Sequence, residues 1–218
     1  MKLISFCLWG NIPKYTIGAI KNAELKQSIY PDWIARFYCS DNVSADIIEK
    51  LKSFPNVEVC IMPDDGWRAM FWRFLPASDP DVSAILSRDT DSRLSVREKM
   101  AVDVWLASDK RFLSLRDHPW HDIPILGGMW GAKYPILSNM KELIESYNKG
   151  NYWQVDQEFL SRVIFPIVRN DTMFIDDFFG GIRFPSNRIN YEFVGDSFDE
   201  NDNRHPDYWV VLKNYLGG

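Results

Sequence analysis

The chain is most constrained where the mostly apolar run Val82-Ser83-Ala84-Ile85-Leu86 passes into Ser87-Arg88-Asp89-Thr90-Asp91-Ser92-Arg93 and then Leu94-Ser95. Such a run, following the turn signal Ser78-Asp79-Pro80-Asp81, predicts a strand covered on both faces, as in a parallel sheet. Its acidic end then lies at the carboxyl edge of a central strand, where open α/β sheets bind ligands. Asp89 and Asp91 flank one small residue, so a turn of the backbone lets both carboxylates converge on one divalent cation. Mg²⁺ and Mn²⁺ take oxygen ligands and commonly need only one or two carboxylates when substrate phosphates supply the rest. An Asp-x-Asp triplet alone is weak evidence, because Asp also caps its own backbone in turns. Here it ends an apolar strand, and Arg88 and Arg93 beside it suit an anionic ligand. Ser95 and Glu98 form an S-x-x-E capping box, which predicts a helix directly after the turn.

The rest of the sequence limits what this turn can serve. A chain of 218 residues, 46% hydrophobic and 25% charged, is sized for one α/β domain with a sizeable core. A formal net charge of −5 argues against a nucleic-acid binder driven by a basic surface. No apolar run approaches the roughly 18 to 20 residues that span a bilayer. Residues 1–5 lead into a strand and carry no signal-peptide pattern, so an intracellular location is expected. Cys7, Cys39 and Cys60 are odd in number, have no ligand spacing and read as buried reduced thiols. The 15% aromatic content, with nine Trp, suits a core and equally suits sugar or base sites that work by stacking.

In order along the chain, residues 3–8 predict a first strand ending at the turn Trp9-Gly10-Asn11, and Pro13 starts a helix to about residue 28. Residues 34–39 and 57–62 predict a second and a third strand, with a helix carrying Ile47, Ile48 and Leu51 between them. Residues 67–75 are aromatic, arginine-rich and compatible with a helix, and their Arg68 and Arg73 can reach a phosphate or form rim salt bridges. The helix from Ser95 buries Ala101, Val102, Trp105 and Leu106. Ile123-Pro124-Ile125-Leu126-Gly127-Gly128-Met129-Trp130-Gly131 predicts a strand whose double glycine lets backbone approach a ligand, with Trp130 placed to stack on a sugar. Further helices are predicted over 138–147 and from Asp156-Gln157, and short strands over 173–179 and 191–194. Residues 198–206 read as a polar, acidic tail.

Several chemistries are disfavoured by what is missing. The three histidines offer one close pair, His118 and His121, too constrained by Pro119 for helical zinc-ligand spacing. There is no G-x-S-x-G, no P-loop and no G-x-G-x-x-G. A divalent-cation site at the edge of a parallel sheet remains, and it points to nucleotide-diphosphate chemistry.

Taken together, the first strand with its Gly turn, Asp89-Thr90-Asp91, Gly127-Gly128-Met129-Trp130-Gly131 and Asp156-Gln157 resemble, in that order, the GT-A-fold, metal-dependent glycosyltransferases. The likeness covers nearly the whole chain, which within that group resembles the small glycosyltransferase domains of bacteria and of large DNA viruses such as chloroviruses. It implies a single Rossmann-like α/β domain over 1–218, with a mainly parallel sheet flanked by helices and a small antiparallel element near the C-terminal half. Residues 1–94 would form the nucleotide-binding half and 95–218 the acceptor and sugar half. It implies a hexosyltransferase working in the cytoplasm, the host cytoplasm if viral, either as a whole protein or as one module of a larger one. The donor would be a nucleotide-diphosphate sugar, most often a UDP-sugar, with Mn²⁺ or Mg²⁺ as cofactor and a glycan or glycoprotein hydroxyl as acceptor.

The resemblance also assigns roles. Asp91 would be the main metal ligand, Asp89 would contact metal or ribose, and His205 would be a further ligand. Phe6, Leu8, Trp9 and Gly10 would border the uracil and ribose, with Arg73 and Arg88 nearby. Gly128, Met129, Trp130, Asp156 and Gln157 would face the donor sugar or acceptor. Asp156 would be the general base if the enzyme inverts, or would orient donor hydroxyls if it retains. Two rival readings stay open. A sugar-phosphate nucleotidyltransferase shares the architecture but should carry a glycine-rich basic loop after the first strand, where Trp9-Gly10-Asn11-Ile12-Pro13-Lys14 has one Gly and one Lys. A non-catalytic nucleotide- or carbohydrate-binding module would bind donor without hydrolysing it.

Overall fold

A computed structural model of the chain describes residues 1–147 and 149–217. Strands β1 (Lys2–Leu8), β2 (Ile34–Ser40) and β3 (Val57–Met62) alternate with helices α1 (Pro13–Ile29) and α2 (Ala45–Lys52). A 3-10 helix, Gly66–Ser78, leads to β4 (Ala84–Ser87), helix α3 (Val96–Ala107), and strands β5 (Phe112–Arg116) and β6 (Trp130–Lys133). Helix α4 (Met140–Ser146) precedes α5 (Val155–Phe159), which continues through a π-helical turn, Leu160–Ile164, into α6 (Phe165–Val168). Strand β7 (Thr172–Asp176) and helix α7 (Pro206–Tyr215) complete the chain. Pro166 lacks an N–H and crowds the carbonyl four residues back, which accounts for the widening of the helix just before it.

The strands form one seven-stranded sheet in the order β3-β2-β1-β4-β6-β5-β7. All neighbouring pairs are parallel except those of β6, which runs antiparallel to both β4 and β5. The expected antiparallel element is therefore this short strand. Its direction matters for the site. Because Ser87, the last residue of β4, pairs with Trp130, the first of β6, the loop entering β6 lies at the same sheet edge as the acidic turn leaving β4. The double glycine lies in the turn ahead of β6, not within a strand over 123–131, because only Trp130–Lys133 pair into the sheet.

Side-chain parity along the strands sorts the core into two layers. Ile4, Phe6 and Leu8 pack with Ala19, Ala23, Ile48 and Trp105 on the face covered by α1, α2 and α3. Leu3, Ile85 and Trp130 face the other way, against Phe71 and Phe74 of the 3-10 helix and Phe159 of α5. Ser95 Oγ accepts the Glu98 backbone N–H at 3.1 Å, as the capping pattern predicts. Glu98 does not return the bond. Its carboxylate is drawn inside, 3.0 Å from Arg88 Nε and accepting Tyr30 Oη–H at 2.9 Å. Residues 191–194 form no strand, and α7, unassigned from sequence, begins with the Pro206 and Asp207 that favour a helix start. No helix among the described residues is long and apolar enough to cross a membrane.

Candidate active-site cleft

The carboxyl ends of β1 and β4 open into a cleft with two adjoining lobes that share Met70, Arg73, Asp89, Asp91 and Trp153. The smaller, about 330 Å³, is walled by Trp9, Tyr15 and Trp67. Trp9 meets Trp67 edge-to-face with ring centroids 6.1 Å apart. The larger lobe, about 690 Å³, runs past Asp156 and Gln157 to a group of imidazole and aromatic rings.

Arg73 ties the base of the cleft together. It is buried on the 3-10 helix, donates from Nη1 to Asp89 and from Nη2 to Asp156 Oδ2 at 2.7 Å. Burial works against its charge, but Asp89, Cys7 and Asp156 more than offset that and hold its pKa above the ordinary arginine value. Burial also pushes the half-buried Asp89 above the usual carboxylate range; Arg73 pulls it down, while Asp91 and Asp156 push it further up. The double glycine fits against this network. A Cβ on Gly127 would overlap Arg73 Nη2, and one on Gly128 would overlap Asp89 Oδ2. Gln157 Oε1 accepts the Gly127 N–H, and Ser87 Oγ donates to Gly127 O at 2.7 Å. The close backbone approach expected of these glycines is thus toward the Asp89 and Arg73 side chains.

Asp91 lies on the same rim. Its Oδ2 is 2.9 Å from Lys14 Nζ and accepts Ser197 Oγ–H at 3.1 Å. Burial lowers the Lys14 pKa and the Asp91 carboxylate raises it, the net being a value above the ordinary one. Each carboxylate of the triplet therefore spends one oxygen on a cation, while Asp89 Oδ2 and Asp91 Oδ1 accept no hydrogen bond among the described residues. This hard-oxygen pair fits a Mg²⁺ or Mn²⁺, which would have to take its remaining ligands from outside these two side chains. Among the described residues no three His, Cys, Asp or Glu side chains converge on one point, so the protein contributes a partial ligand set. His205 joins no such group: it lines the larger lobe, packs at a 40° tilt on Tyr208 with ring centroids 4.9 Å apart, and lies 4.0 Å from Asp207.

Of the other residues singled out from sequence, Leu8, Trp9, Arg73 and Asp89 line the smaller lobe, and Met129, Asp156 and Gln157 the larger. Five are placed elsewhere. Phe6 points into the α1–α2 layer and stacks on Phe37 at 4.7 Å; the next residue, Cys7, has the parity that faces the cleft. Burial pushes the Cys7 thiol up to about 12, with partial relief from Arg73, so it is no nucleophile. Arg88 is enclosed with Glu98 and donates to the carbonyls of Ser87 and Trp130, which removes it from any anion in the cleft. Trp130 is fully buried, stacked on Phe112 at 5.4 Å, and cannot offer a face to a sugar. Gly10, at φ 66°, turns the chain out of β1 and gives its N–H to Asn42 Oδ1 at 2.8 Å. Arg68 donates to Tyr147 O at 3.2 Å, a structural role.

Sequence reasoning missed Lys14, Tyr15, Trp67 and Trp153, and the ring cluster of His118, Trp120, His121 and Tyr208. Exposure marks three of them: Trp67, Trp120 and Trp153 are 42%, 50% and 66% exposed, whereas His118 is buried and only the assembled cluster brings it to the cleft.

No protein-family model matches the sequence, and no curated protein does. Solved structures do match. A glycosyltransferase involved in glycosylating the major capsid of PBCV-1 aligns with a TM-score of 0.51 at 19% identity, over 81% of this chain and 82% of that one. Glucosyl-3-phosphoglycerate synthase from Mycobacterium tuberculosis, in complex with Mn²⁺, UDP-glucose and glycerol 3-phosphate, aligns with a TM-score of 0.50 at 16% identity, over 86% and 73% of the two chains. The 4-diphosphocytidyl-2C-methyl-D-erythritol synthase of Anaerococcus prevotii aligns with a TM-score of 0.54 at 10% identity, over 100% and 97%. Likenesses at such identities establish architecture, and the architecture they establish is that of the GT-A-type glycosyltransferases: this chain has their Rossmann-like α/β fold.

Proposed function

We propose that the chain is a metal-dependent glycosyltransferase of the hexosyl-transferring kind, moving a sugar from a UDP-sugar to a hydroxyl of a glycan or glycoprotein. The observation that carries this reading is the position of Asp89 and Asp91 on the shared rim of an aromatic lobe and a polar one, at the carboxyl edge of β4. On this reading residues 1–94 supply most of the donor site, with uracil between Trp9, Tyr15 and Trp67, and 95–218 most of the sugar and acceptor site. Asp89 and Asp91 would hold Mn²⁺ or Mg²⁺, which supplies neutralisation of the charge developing on the departing diphosphate. Lys14, on the same rim, adds a second positive charge to that side. The three free cysteines fit a reducing compartment, in keeping with work in the cytoplasm, that of the host if the source is viral.

Asp156 is the carboxylate nearest the sugar side, and its environment favours one of its two expected roles. Its Oδ2 is already engaged by the buried Arg73 guanidinium at 2.7 Å, so that oxygen is not free to meet a reacting hydroxyl. Its Oδ1 accepts no hydrogen bond among the described residues and is the atom available to position a donor or acceptor hydroxyl. We therefore assign Asp156 to orienting, and Gln157, bound to Gly127, to fixing the loop beside it.

The direct test is incubation with UDP-glucose, UDP-galactose and UDP-N-acetylglucosamine plus Mn²⁺, followed by NMR. Slow release of free sugar with UDP supports the assignment and reports the anomer formed. Nucleotidyl transfer is the second reading, favoured by the likeness to the diphosphocytidyl-forming synthase. It predicts pyrophosphate release from CTP or UTP with a sugar phosphate. The loop after β1 speaks against it, since the Gly10 N–H is already given to Asn42.

A further inference from the structure

We infer that the larger lobe receives the terminal sugar of an uncharged glycan, packed on Trp120 and met by His121 and Asp122, an assignment that rests on the glycosyltransferase reading above. Three observations carry it.

The first is a braced, exposed indole. Trp120 is 50% exposed. Its ring lies edge-to-face with His118 at 5.6 Å and with Tyr208 at 5.4 Å. Its backbone N–H donates to His118 Nδ1 at 3.1 Å, and His118 Nε2–H in turn donates to Tyr208 O at 2.9 Å. A large apolar ring held in place at a polar cleft is what the C–H face of a pyranose requires.

The second is a neutral donor of fixed tautomer. His121 Nδ1 accepts the Asp117 N–H at 3.1 Å, which puts the imidazole proton on Nε2. Burial, then His118 and the nearby Arg188 and Arg116, push its pKa down to about 3, so the ring is uncharged at neutral pH. It is a hydrogen-bond donor suited to a sugar hydroxyl, beside an Asp122 carboxylate suited to accept one.

The third is the charge count. The only Lys and Arg lining this lobe, among the described residues, are Lys14 and Arg73, and both are paired with Asp89, Asp91 or Asp156. Asp122 brings the carboxylates to four. The arginines behind the ring cluster are also committed, Arg188 to Asp117 and Arg204 to Asp196. A phosphorylated or acidic acceptor would enter a field of its own sign with no free guanidinium to meet it, whereas a neutral one is not penalised.

The test is saturation-transfer NMR on the full chain with the methyl glycosides of glucose, galactose, mannose and xylose, and with glycerol 3-phosphate as the anionic comparator. UDP is titrated into the same samples. At least one glycoside should receive saturation mainly on the protons of one ring face. Trp120→Ala should weaken it about tenfold, Trp120→Phe should restore part of the loss, and UDP binding should be the same in all three proteins. Glycerol 3-phosphate binding as well as the best glycoside, or a glycoside signal indifferent to Trp120→Ala, overturns the inference. A wild type that binds UDP but no glycoside overturns the acceptor assignment alone, and one that binds neither overturns the glycosyltransferase reading beneath it.

Discussion

Arg73 and Asp156, 83 residues apart in sequence, meet at 2.7 Å in the floor of the cleft, both side chains almost wholly buried. The same guanidinium holds Asp89, so one cation compensates two carboxylates from different parts of the chain. Arg73→Met should cost about 3–5 kcal/mol in urea unfolding, the loss expected when a buried ion pair is broken from one side. The half-exposure of Asp89 places the result toward the low end. Arg73→Lys should recover only part, because an ammonium cannot fork to both partners.

Gly128→Ala tests how tightly the acidic turn is held. The new methyl would occupy the position of Asp89 Oδ2. Either Asp89 turns away or the loop shifts, and nucleotide binding in the presence of Mn²⁺ should fall at least tenfold while stability drops about 1–3 kcal/mol, as in other overpacked sites. Gly150→Ala, where the new methyl would meet only Tyr152 but the backbone stands at φ 107°, should lose stability through backbone strain and leave nucleotide binding unchanged.

Two tryptophans should respond in opposite ways. Trp130, enclosed between Phe112 and Phe74, should lose about 3–5 kcal/mol of stability on change to Ala. Trp67, 42% exposed on the wall of the smaller lobe, should lose little stability and about tenfold in UDP affinity, the loss expected for one stacking partner. Urea midpoints and calorimetric titration separate the two effects.

His121 gives a pH dependence with a definite sign. The unfolded chain protonates this residue near 6.5, whereas in the fold burial delays it to about 3. Between those values the unfolded state binds more protons, so the contribution is complete above pH 6.5 and is lost as pH falls, by up to about 1.4 kcal/mol per pH unit. Asp196, raised by burial from 3.8 to about 6 against the pull of Arg204, acts oppositely: its contribution is present below 3.8 and lost as pH rises through 6. Urea midpoints at pH 7, 5 and 4 should fall more steeply for wild type than for His121→Gln, and more steeply for Asp196→Asn than for wild type.

Much of the fold is legible in the sequence because it is written locally. The apolar runs of β1 to β4, the Ser95 cap and the helical stripe through Ala101, Val102 and Trp105 need no distant partner to be recognised. The placement of Asp89 and Asp91 follows as well, since a parallel strand carries its next residues to the carboxyl edge. What was not legible depends on pairing across the chain. Whether Phe6 or Cys7 faces the cleft turns on a single residue of parity. Arg88 reads as an anion ligand until Glu98 folds in beside it, and Trp130 reads as a sugar platform until the antiparallel direction of β6 carries it into the core. The aromatic lobe is assembled from the β1 turn, α1, the 3-10 helix and the loop before α5, and no local pattern announces such an assembly.

The central claim is that Asp89 and Asp91 hold a metal that bridges to a nucleotide diphosphate. Calorimetric titration of UDP into the wild type and Asp91→Ala, each with and without Mn²⁺, tests it most directly. The account predicts UDP binding that Mn²⁺ strengthens in the wild type and that Mn²⁺ no longer strengthens in Asp91→Ala. Equal binding with and without Mn²⁺ in the wild type would contradict it, and would leave Lys14 and Arg73 as the cationic side chains that, among the described residues, line the cleft to meet the diphosphate.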